Sequence, residues 1–465
     1  MYQIDFQHPV HVFFCGIGGI SMSGLAEILK RRGFTVSGSD RAESSITDKL
    51  SQEGVRVLIG QRSENITPDI DLVVFTSAIH PDNPEYIRTS ELNIPSLTRA
   101  ELLGQIMKNY SMPVAVSGTH GKTTTTSMIS EILLDADTDP TLSIGGNLPS
   151  IGGNVRVGGS GYFVAEACEY TNSFLSFYPR ISIILNIDAD HLDFFKDLND
   201  IRNSFRKFAQ LTPADGALII NADIPDLQEI TEGLSCKVIT YGKDPSCDYW
   251  AEDIRFDGGA HPDFLLCRRL EDGTVLRRHV RLGVTGEHNV FNSLAAAAAA
   301  DLLEIPAEHV DSALERFTGT DRRFQLKGKL GGITILDDYA HHPTEIAATL
   351  RSAKATSHKR VVCVFQPHTY SRTKSLFDEF AHALSAADLC ILADIYAARE
   401  TDTLGVSSRM LADRINETGG SALYLPSFEE IENYIRKNCQ EDDLLITMGA
   451  GNVYEIGDHL LSSGS

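Results

Sequence analysis

VAVSGTHGKTTTT, residues 114–126, joins an apolar strand pattern to a glycine turn and then to a helical pattern that continues as SMISEILLDA. In this strand–loop–helix context, a Gly-x-x-Gly-Lys-Thr segment is typical of a phosphate-binding loop. Glycines let backbone N–H groups converge on phosphate oxygens, and the helix N-terminus adds the positive end of its dipole. The loop is a variant, because Val116 occupies the place of the first glycine in the longer standard motif.

Each residue type in this loop has a physical role. The side chain of Lys122 is expected to bridge terminal phosphates, and the hydroxyl of Thr123 is expected to ligate Mg²⁺. The alternative is a glycine turn that merely caps a helix, but it leaves the lysine and the tandem threonines unexplained. The sequence therefore predicts that the chain binds ATP and Mg²⁺. The predicted ATP-binding residues of the loop are Gly118, Thr119, His120, Gly121, Lys122, Thr123 and Thr124.

Composition limits the class of protein. The 465 residues exceed what one hydrophobic core usually supports, so two or three domains are expected. A net charge of −22 argues against nucleic acid and anionic membranes as partners, because both are bound through an excess of Lys and Arg. Eight cysteines without a Cys-x-x-Cys pair argue against a zinc ribbon or a disulfide framework, and they indicate a cytoplasmic protein. The apolar residues 10–20 are interrupted by glycines, so they are predicted to be neither a signal peptide nor a membrane span.

Strand and helix patterns divide the chain into three blocks. Residues 1–109 carry short apolar runs that alternate with helical patterns, as expected for parallel βαβ units. Residues 110–319 hold the phosphate loop, a stretch of short antiparallel strands at 236–283 and an alanine-rich helix at 292–303. Residues 320–465 alternate again, which indicates a doubly wound sheet. The predicted fold class is α/β, with three domains.

Two polar clusters follow strand patterns in the middle block. Glu166 and Glu169 come after GYFVAEA, and Asp188, Asp190, His191 and Asp193 come after ISIILNI. Carboxyl ends of strands are where open α/β sheets place ligands, so these side chains are candidate magnesium ligands beside the loop. Helix caps and solvated turns are the alternative for each cluster taken alone. Gly286 to Asn289 precede the alanine helix, where the asparagine amide would either contact adenine or cap the helix, and the sequence leaves both open.

A second glycine turn follows the first strand pattern. Gly16, Gly18 and Gly19 open a helical pattern, and Asp40 ends the next strand, where a ribose-binding acid would lie. The turn is similar to a dinucleotide fingerprint, except that Ser21 stands in place of its last glycine. A diphosphate-bearing sugar nucleotide would use the same geometry, and a turn without a ligand is the alternative.

A series of motifs extends over almost the whole chain and resembles the signature series of the Mur ligases, in the family's own order. The motifs are GIGGISMSGLAEIL, SGTHGKTTTT, EACEYTNSF, NIDADHLD, GEHNVFN, RRFQ, DDYAHHPTEI, FQPHTYSRTKSLFDEF and GAGNVYEIG. The resemblance implies an N-terminal Rossmann-like domain that binds UDP, a central P-loop ATPase-type mononucleotide-binding sheet, and a C-terminal Rossmann-like domain. The last of these is expected to close over the site and bring the amino acid.

Two segments narrow the expected activity. DDYAHHPTE and QPHTYSRT are similar to family members that attach L-alanine to UDP-N-acetylmuramate in peptidoglycan precursor synthesis. The resemblance therefore implies these two substrates, ATP-dependent ligation through an acyl phosphate, and release of ADP and phosphate by a monomer or homodimer. The alternatives are a ligase that adds glutamate or a preformed peptide, a P-loop switch, and a dinucleotide-dependent oxidoreductase.

The resemblance also implies roles for individual residues. The expected catalytic residues are Lys122, Glu169, His191, Arg323 and His342, with His342 as the base. The expected metal ligands are Thr123, Glu169 and His191, and the further ATP contacts are His288, Asn289 and Arg322, where either Arg322 or Arg323 would face the γ-phosphate. The expected UDP-sugar contacts are Gly16, Gly18, Gly19, Ser21, Asp40 and Ser77. The expected amino-acid contacts are His342, His368, Tyr370 and Arg372.

The third block departs from the family pattern at one position. The family often has Arg where this chain has Thr369, so Arg372 is expected to carry more of the contact with the alanine carboxylate. Asp337, Asp338 and His341 are expected beside His342 at the active-site end of a strand. A hydrogen-bonded cluster without a ligand is the alternative for these side chains.

Overall fold

The computed structural model describes residues 2–76, 79–192, 194–398, 400–402 and 404–462. These residues form three β-sheets flanked by helices, one after another along the chain. The predicted α/β class and the three-part organisation are confirmed. Ser77 and Asp193, two of the candidate site residues, lie outside the described residues.

The first sheet is parallel and has the strand order β3-β2-β1-β4-β5. Its strands are β1 (His11–Cys15), β2 (Thr35–Asp40), β3 (Arg56–Ile59), β4 (Leu72–Phe75) and β5 (Ser96–Thr98), with helices α1 (Ile20–Arg31), α2 (Ser45–Gln52), α3 (Pro84–Glu91) and α4 (Arg99–Met107). The apolar strands β1 and β4 lie side by side at its centre and are buried, which explains their continuous hydrophobic pattern.

The second sheet is the largest and has the order β15-β14-β13-β12-β11-β10-β6-β9-β7-β8. Its first strands are β6 (Met112–Ser117), β7 (Thr141–Leu148), β8 (Gly153–Arg156), β9 (Tyr162–Glu166) and β10 (Ile181–Ile184), and the later ones are β11 (Ala217–Asn221), β12 (Lys237–Gly242), β13 (Tyr249–Phe256), β14 (Pro262–Arg269) and β15 (Val275–Arg281). The helices are α5 (Lys122–Asp135), α6 (Leu198–Ala209), α7 (Gln228–Thr231), α8 (Glu287–Leu302) and α9 (Ala307–Arg316). Strands β13 to β15 pair antiparallel, as the sequence predicts for that stretch, whereas β12 joins the parallel part.

The third sheet has the order β16-β17-β21-β18-β19-β20 and is parallel except for β16. Its strands are β16 (Gln325–Leu330), β17 (Ile333–Asp338), β18 (Arg360–Phe365), β19 (Leu389–Leu392), β20 (Ala422–Tyr424) and β21 (Asp443–Met448). Its helices are α10 (Pro343–Lys354), α11 (Tyr370–Ser375), α12 (Phe377–Leu384), α13 (Ser408–Glu417), α14 (Phe428–Asn438) and α15 (Tyr454–Ser462). Layers of helices cover both faces, so the central strands are fully buried.

The first two sheets are joined through close contacts at glycines. A Cβ atom at Gly24 of α1 would overlap the side chain of Val155 in β8. A Cβ atom at Gly104 of α4 would overlap the carbonyl of Ser176, in a 3₁₀ segment that precedes β10. The guanidinium of Arg32 adds a hydrogen bond of 2.8 Å to the carbonyl of Gly158. Such close approach fixes the N-terminal unit on the central one.

The structure also bears on membranes and cysteines. Within the described part of the chain, no helix has both the length and the apolar character that a bilayer crossing needs. All eight cysteines fall in the described ranges and are free thiols.

Candidate active site

The phosphate loop runs from the carboxyl end of β6 to the start of α5. Strand β6 lies between β9 and β10, so the polar residues that follow those two strands meet the loop at one sheet edge. Gly121 is the N-cap of α5 and has a φ of +82°, which L-residues rarely adopt. A Cβ atom there would lie 2.7 Å from Oδ1 of Asn292, in α8. The loop glycine is therefore required both by its conformation and by its neighbour.

Lys122 is buried at the centre of this edge. Its Nζ donates to the carbonyl of Gly118 at 2.6 Å and to the carbonyl of Thr119 at 3.1 Å. It also pairs with the carboxylate of Glu169 at 2.9 Å. Burial alone would lower the pKa of Lys122, but Glu169, Cys168 and Glu166 together outweigh it and raise the pKa, so the ammonium stays charged.

The metal candidates lie close to the lysine, and Glu169 is its ion-pair partner. Thr123 Oγ1 donates to Glu166 at 2.7 Å, and Glu166 also accepts from the backbone N–H of Gly145 at 3.1 Å. The ring of His191 lies 3.9 Å from Glu169 and is packed on Tyr170, with ring centroids 4.5 Å apart. Burial lowers the pKa of His191, which favours the neutral form that binds metals.

These residues fit Mg²⁺ in one respect only: they supply oxygen donors next to a phosphate loop. In the ranges that the structure describes, no three His, Cys, Asp or Glu side chains form a complete metal site. Mg²⁺ usually keeps waters and takes substrate phosphates with one or two carboxylates, so it does not require such a cage. Thr123, Glu169 and His191 therefore remain the predicted ligands, with Glu166 hydrogen-bonded to the threonine.

Asn186 shapes the loop from the neighbouring strand end, a role that was not predicted from the sequence. Its Oδ1 accepts from the N–H of His120 at 2.7 Å, and its Nδ2 donates to the carbonyl of the same residue at 3.0 Å. Next to it, the N–H of Asp188 donates to Thr119 Oγ1 at 2.9 Å. Asn186 is the first residue of NIDADHLD, so the motif contained the signal.

The start of α8 faces the same loop. His288 is exposed, whereas Asn289 is buried and its Nδ2 donates to the carbonyl of Thr285 at 2.8 Å. Asn289 Oδ1 accepts from Asn292 at 2.9 Å. Asn289 is not the cap of α8, because Gly286 holds that position without a side-chain hydrogen bond and the Asn289 amide donates to a carbonyl. Its contact with adenine stays a prediction. Asn292, which packs on Gly121, was not singled out from the sequence.

The two arginines after the middle block diverge. Arg322 is held by Asp337 at 2.9 Å and by the carbonyls of Gly449 and Gly451, within the third sheet. Arg323 instead lies 3.9 Å from Glu345 of α10. Because Glu345 contacts the phosphate loop through His120, the structure brings Arg323 and not Arg322 toward the loop.

The third sheet presents the candidate amino-acid residues to the same edge. Arg372 of α11 pairs with Asp190 of the central unit at 3.1 Å, and its Nη1 lies 3.4 Å from Nδ1 of His368. The ring of His368 stacks on Tyr396, and burial lowers its pKa to about 4. Tyr370 is half-buried at the first position of α11. Arg372 and His368 are therefore brought together, at the seam between the two units.

His342 is the N-cap of α10 and lies at this seam as well. Its Nε2 donates to the carbonyl of Ala189 at 3.2 Å, and its Nδ1 accepts from the N–H of Thr344 at 3.3 Å. Burial lowers the pKa of His342, which keeps the ring neutral. A neutral ring that donates through one nitrogen and accepts through the other has both nitrogens engaged.

Asp337 and Asp338 form a hydrogen-bonded cluster with their neighbours, which is the alternative to a role in ligand binding. Asp337 accepts from the hydroxyl of Thr447 at 2.7 Å as well as from Arg322. Asp338 accepts from the N–H groups of Phe324 and Ala340, and burial raises its pKa to about 6. Both carboxylates hold the end of β17 against β21 and against the segment that leads into β16.

The first glycine turn is largely closed on itself. The N–H groups of Gly16 and Ile17 donate to the carbonyl of Ser39, and the N–H of Gly18 donates to Asp40 Oδ2 at 2.8 Å. Helix α1 begins without a capping side chain after Gly19. An anion would therefore meet the first-turn N–H groups of α1, where Ser21 lies, and Asp40 braces the turn.

Comparisons with known proteins agree along the whole chain. The family model "Mur ligase family, catalytic domain" matches residues 11–111, "Mur ligase middle domain" matches 116–300, and "Mur ligase, glutamate ligase domain" matches 322–451. A UDP-N-acetylmuramate–L-alanine ligase of Agathobacter rectalis is 59% identical over 99% of this chain and 100% of its own length. The corresponding ligase of Lachnospira eligens is 57% identical over 99% and 100%.

Solved structures give the same result. The UDP-N-acetylmuramate–alanine ligase of Thermotoga maritima superposes with a TM-score of 0.80 at 30% identity, covering 97% of this chain and 98% of that one. A murein peptide ligase of Psychrobacter arcticus superposes with a TM-score of 0.71 at 27% identity, covering 98% of each.

Proposed function

The chain belongs to the Mur ligase family, and we propose that it joins L-alanine to the lactyl carboxylate of UDP-N-acetylmuramate with cleavage of ATP to ADP and phosphate. One observation of the structure carries the proposal. The phosphate loop with Lys122 lies at the same seam as Arg372 and His368 of the third sheet. A site of this kind brings a nucleotide phosphate and an amino acid to one point.

The chemistry requires activation, because a carboxylate does not react with an amine while oxide is the leaving group. Transfer of the γ-phosphate to the sugar-linked carboxylate gives an acyl phosphate, from which phosphate leaves readily. Lys122 and Arg323 would balance the charge that spreads over the phosphoryl oxygens. Mg²⁺, held by Thr123, Glu169 and His191, would neutralise phosphate charge when bound.

The second step is attack of the alanine amine on the acyl phosphate. Arg372 would orient the alanine carboxylate, and to do so it must release or share its bond with Asp190. His342 is the proposed base, and it must give up the bond from Thr344 before it accepts a proton. His368 and Tyr370 are proposed to line the amino-acid pocket, and the α1 start with Ser21 is proposed to bind the diphosphate.

The proposal extends to organisation and place. We propose domain boundaries at 1–109, 110–319 and 320–465, a monomer or homodimer, and a cytoplasmic location, where ATP and UDP-sugars are available. Contacts of His288, Asn289 and Arg322 with ATP also stay proposals.

The direct test measures ADP release with UDP-N-acetylmuramate, ATP and Mg²⁺, with and without L-alanine. ADP should be released at the full rate only when all substrates are present, and the Lys122→Ala variant should release no ADP above background. Lys359→Ala is the matched control, because this side chain is three-quarters exposed on the third unit and should leave the rate unchanged. ADP release by Lys122→Ala at the wild-type rate would reject the proposal.

A second candidate is addition of a preformed peptide, which the likeness to a murein peptide ligase favours. A substrate panel of L-alanine, glycine, L-serine, D-glutamate and the tripeptide L-alanyl-γ-D-glutamyl-meso-diaminopimelate separates the two. Higher kcat/KM for the tripeptide than for L-alanine would replace the first proposal with the second.

A further inference from the structure

His120, in the phosphate loop, lies between the central and third units. Its Nδ1 is 3.2 Å from Glu345 Oε1 of α10, and its Nε2 is 3.3 Å from Asp188 Oδ2 after β10. The side chain is only 12% exposed. One imidazole therefore connects a carboxylate of each unit at the mouth of the phosphate loop.

The surroundings hold His120 in its charged form. Burial opposes the charge, but Asp188 and Glu345 raise the pKa of His120 to about 9. His342 also faces the ring, with centroids 4.7 Å apart, and its own pKa is lowered by burial and by His120. Near neutral pH the pair thus carries one positive charge, located on His120.

Glu345 extends the connection toward the amino-acid side of the seam. Its Oε2 accepts from the N–H of His341 at 3.1 Å and lies 3.4 Å from Nδ1 of the same histidine. Its Oε1 is 3.9 Å from Arg323. His341, His120 and Arg323 together hold the pKa of Glu345 well below its ordinary value despite burial. Glu345 is therefore a charged carboxylate on the third unit that is stabilised in part by His120 of the loop.

The backbone of His120 cannot move independently of the loop. Asn186 holds both its N–H and its carbonyl, and the next residues are Gly121 and Lys122. The side chain of His120 is thus attached to the turn that presents Lys122.

We propose that His120 is a positioning residue which ties closure of the third unit, through Glu345, to the arrangement of the phosphate loop. Building on the proposed function, the loop is fully ordered for phosphoryl transfer only when the amino-acid domain has arrived. This order protects the acyl phosphate, because the activated carboxylate forms when the attacking amine is already at hand. A purely local role for His120 would not involve Glu345.

Steady-state kinetics of His120→Asn, Glu345→Gln and the double variant test the coupling. Each single variant should lower kcat about tenfold, with the KM for ATP changed less than about threefold, and the double variant should be no worse than the singles. Multiplying effects in the double variant, or a wild-type rate for Glu345→Gln, would overturn the proposal. His309→Asn is the matched control, because it removes a comparable pair with Asp135 at 2.9 Å, on α9 and α5.

The dependence of kcat on pH is a further test, because a purely structural role of His120 would not change it. A raised pKa means that the contact is fully present below the ordinary value of 6.5 and is lost as pH rises through about 9. Wild-type kcat should therefore fall near pH 9, and the kcat of His120→Asn should not show this decrease. The same decrease near pH 9 in the variant would contradict the role of His120.

Hydrogen exchange separates this proposal from the proposed function, because it needs no turnover. With a non-hydrolysable ATP analogue and Mg²⁺ bound, Glu345→Gln should raise the exchange rate of amides at 118–124 several-fold, although the substitution lies in another unit. Unchanged exchange there would reject the coupling even if ligation were established, and raised exchange would support it even if the substrate were different.

Discussion

Gly121 shows how one residue type is imposed by the site. Its φ of +82° turns the chain into α5, and Asn292 fills the space into which a side chain would project. Lys122 follows immediately, so a shift of this turn displaces the ammonium from the carbonyls that hold it. Conformation and charge placement are thus coupled within two residues.

Substitution of Gly121 by alanine should therefore harm both stability and nucleotide binding. The left-handed conformation alone costs about 1–2 kcal/mol for an L-residue, and the contact with Asn292 adds to it. Gly152→Ala is the matched control, since Gly152 also has a positive φ of +63° but has open space around it. We expect both variants to lose stability in urea unfolding, and only Gly121→Ala to lose ATP binding by calorimetry. Equal ATP affinity in the two variants would contradict this assignment.

Sequence patterns predicted the site residues that lie in the loop itself or at the strand ends beside it. Lys122 and Thr123 are adjacent, and the strand ends of an open sheet place Glu166 and Glu169 beside them, as the structure has it. Glu345 escaped prediction, because its contact with the loop depends on how two separate sheets face each other. No spacing rule within one motif encodes that contact.

At the scale of elements, burial explains which strands could be predicted. The buried strands β1, β4, β17, β18 and β21 read as continuous apolar runs. The edge strands β3, β5 and β16 are short or mixed in polarity. Edge strands bury less, so their hydrophobic pattern is weak.

The contact between α1 and β8 sets how the first sheet sits on the second. Alanine at Gly24 would overlap the stiff side chain of Val155, so we expect Gly24→Ala to lose about 1–3 kcal/mol by overpacking. A second change, Val155→Ala, should make room and restore part of this loss. Urea unfolding of the two single variants and the double variant measures the coupling. Additive losses would mean that the two side chains do not meet in solution.

At the scale of the whole molecule, the first and third units relate differently to the centre. The first unit is fixed on it by backbone-level contacts at Gly24 and Gly104. The third meets the loop edge through polar side chains, among them the pair of Arg372 with Asp190 and the pair of His120 with Glu345. Polar contacts of this kind permit relative motion, because water can replace them. Gly319, with a φ of +100°, lies in the connection.

Closure should therefore involve the third unit and respond to ligands. We expect the radius of gyration in small-angle scattering to fall when a non-hydrolysable ATP analogue, Mg²⁺ and UDP-N-acetylmuramate are added together. Asp190→Asn keeps the side-chain shape but removes the charge that holds Arg372, so it should compact less. Arg180 and Asp215 form a pair of 2.9 Å within the central unit, and Asp215→Asn is the matched control that should compact like wild type. If ligands left the wild-type radius unchanged, the third unit would be as fixed as the first, and the acyl phosphate would have to be shielded without domain motion.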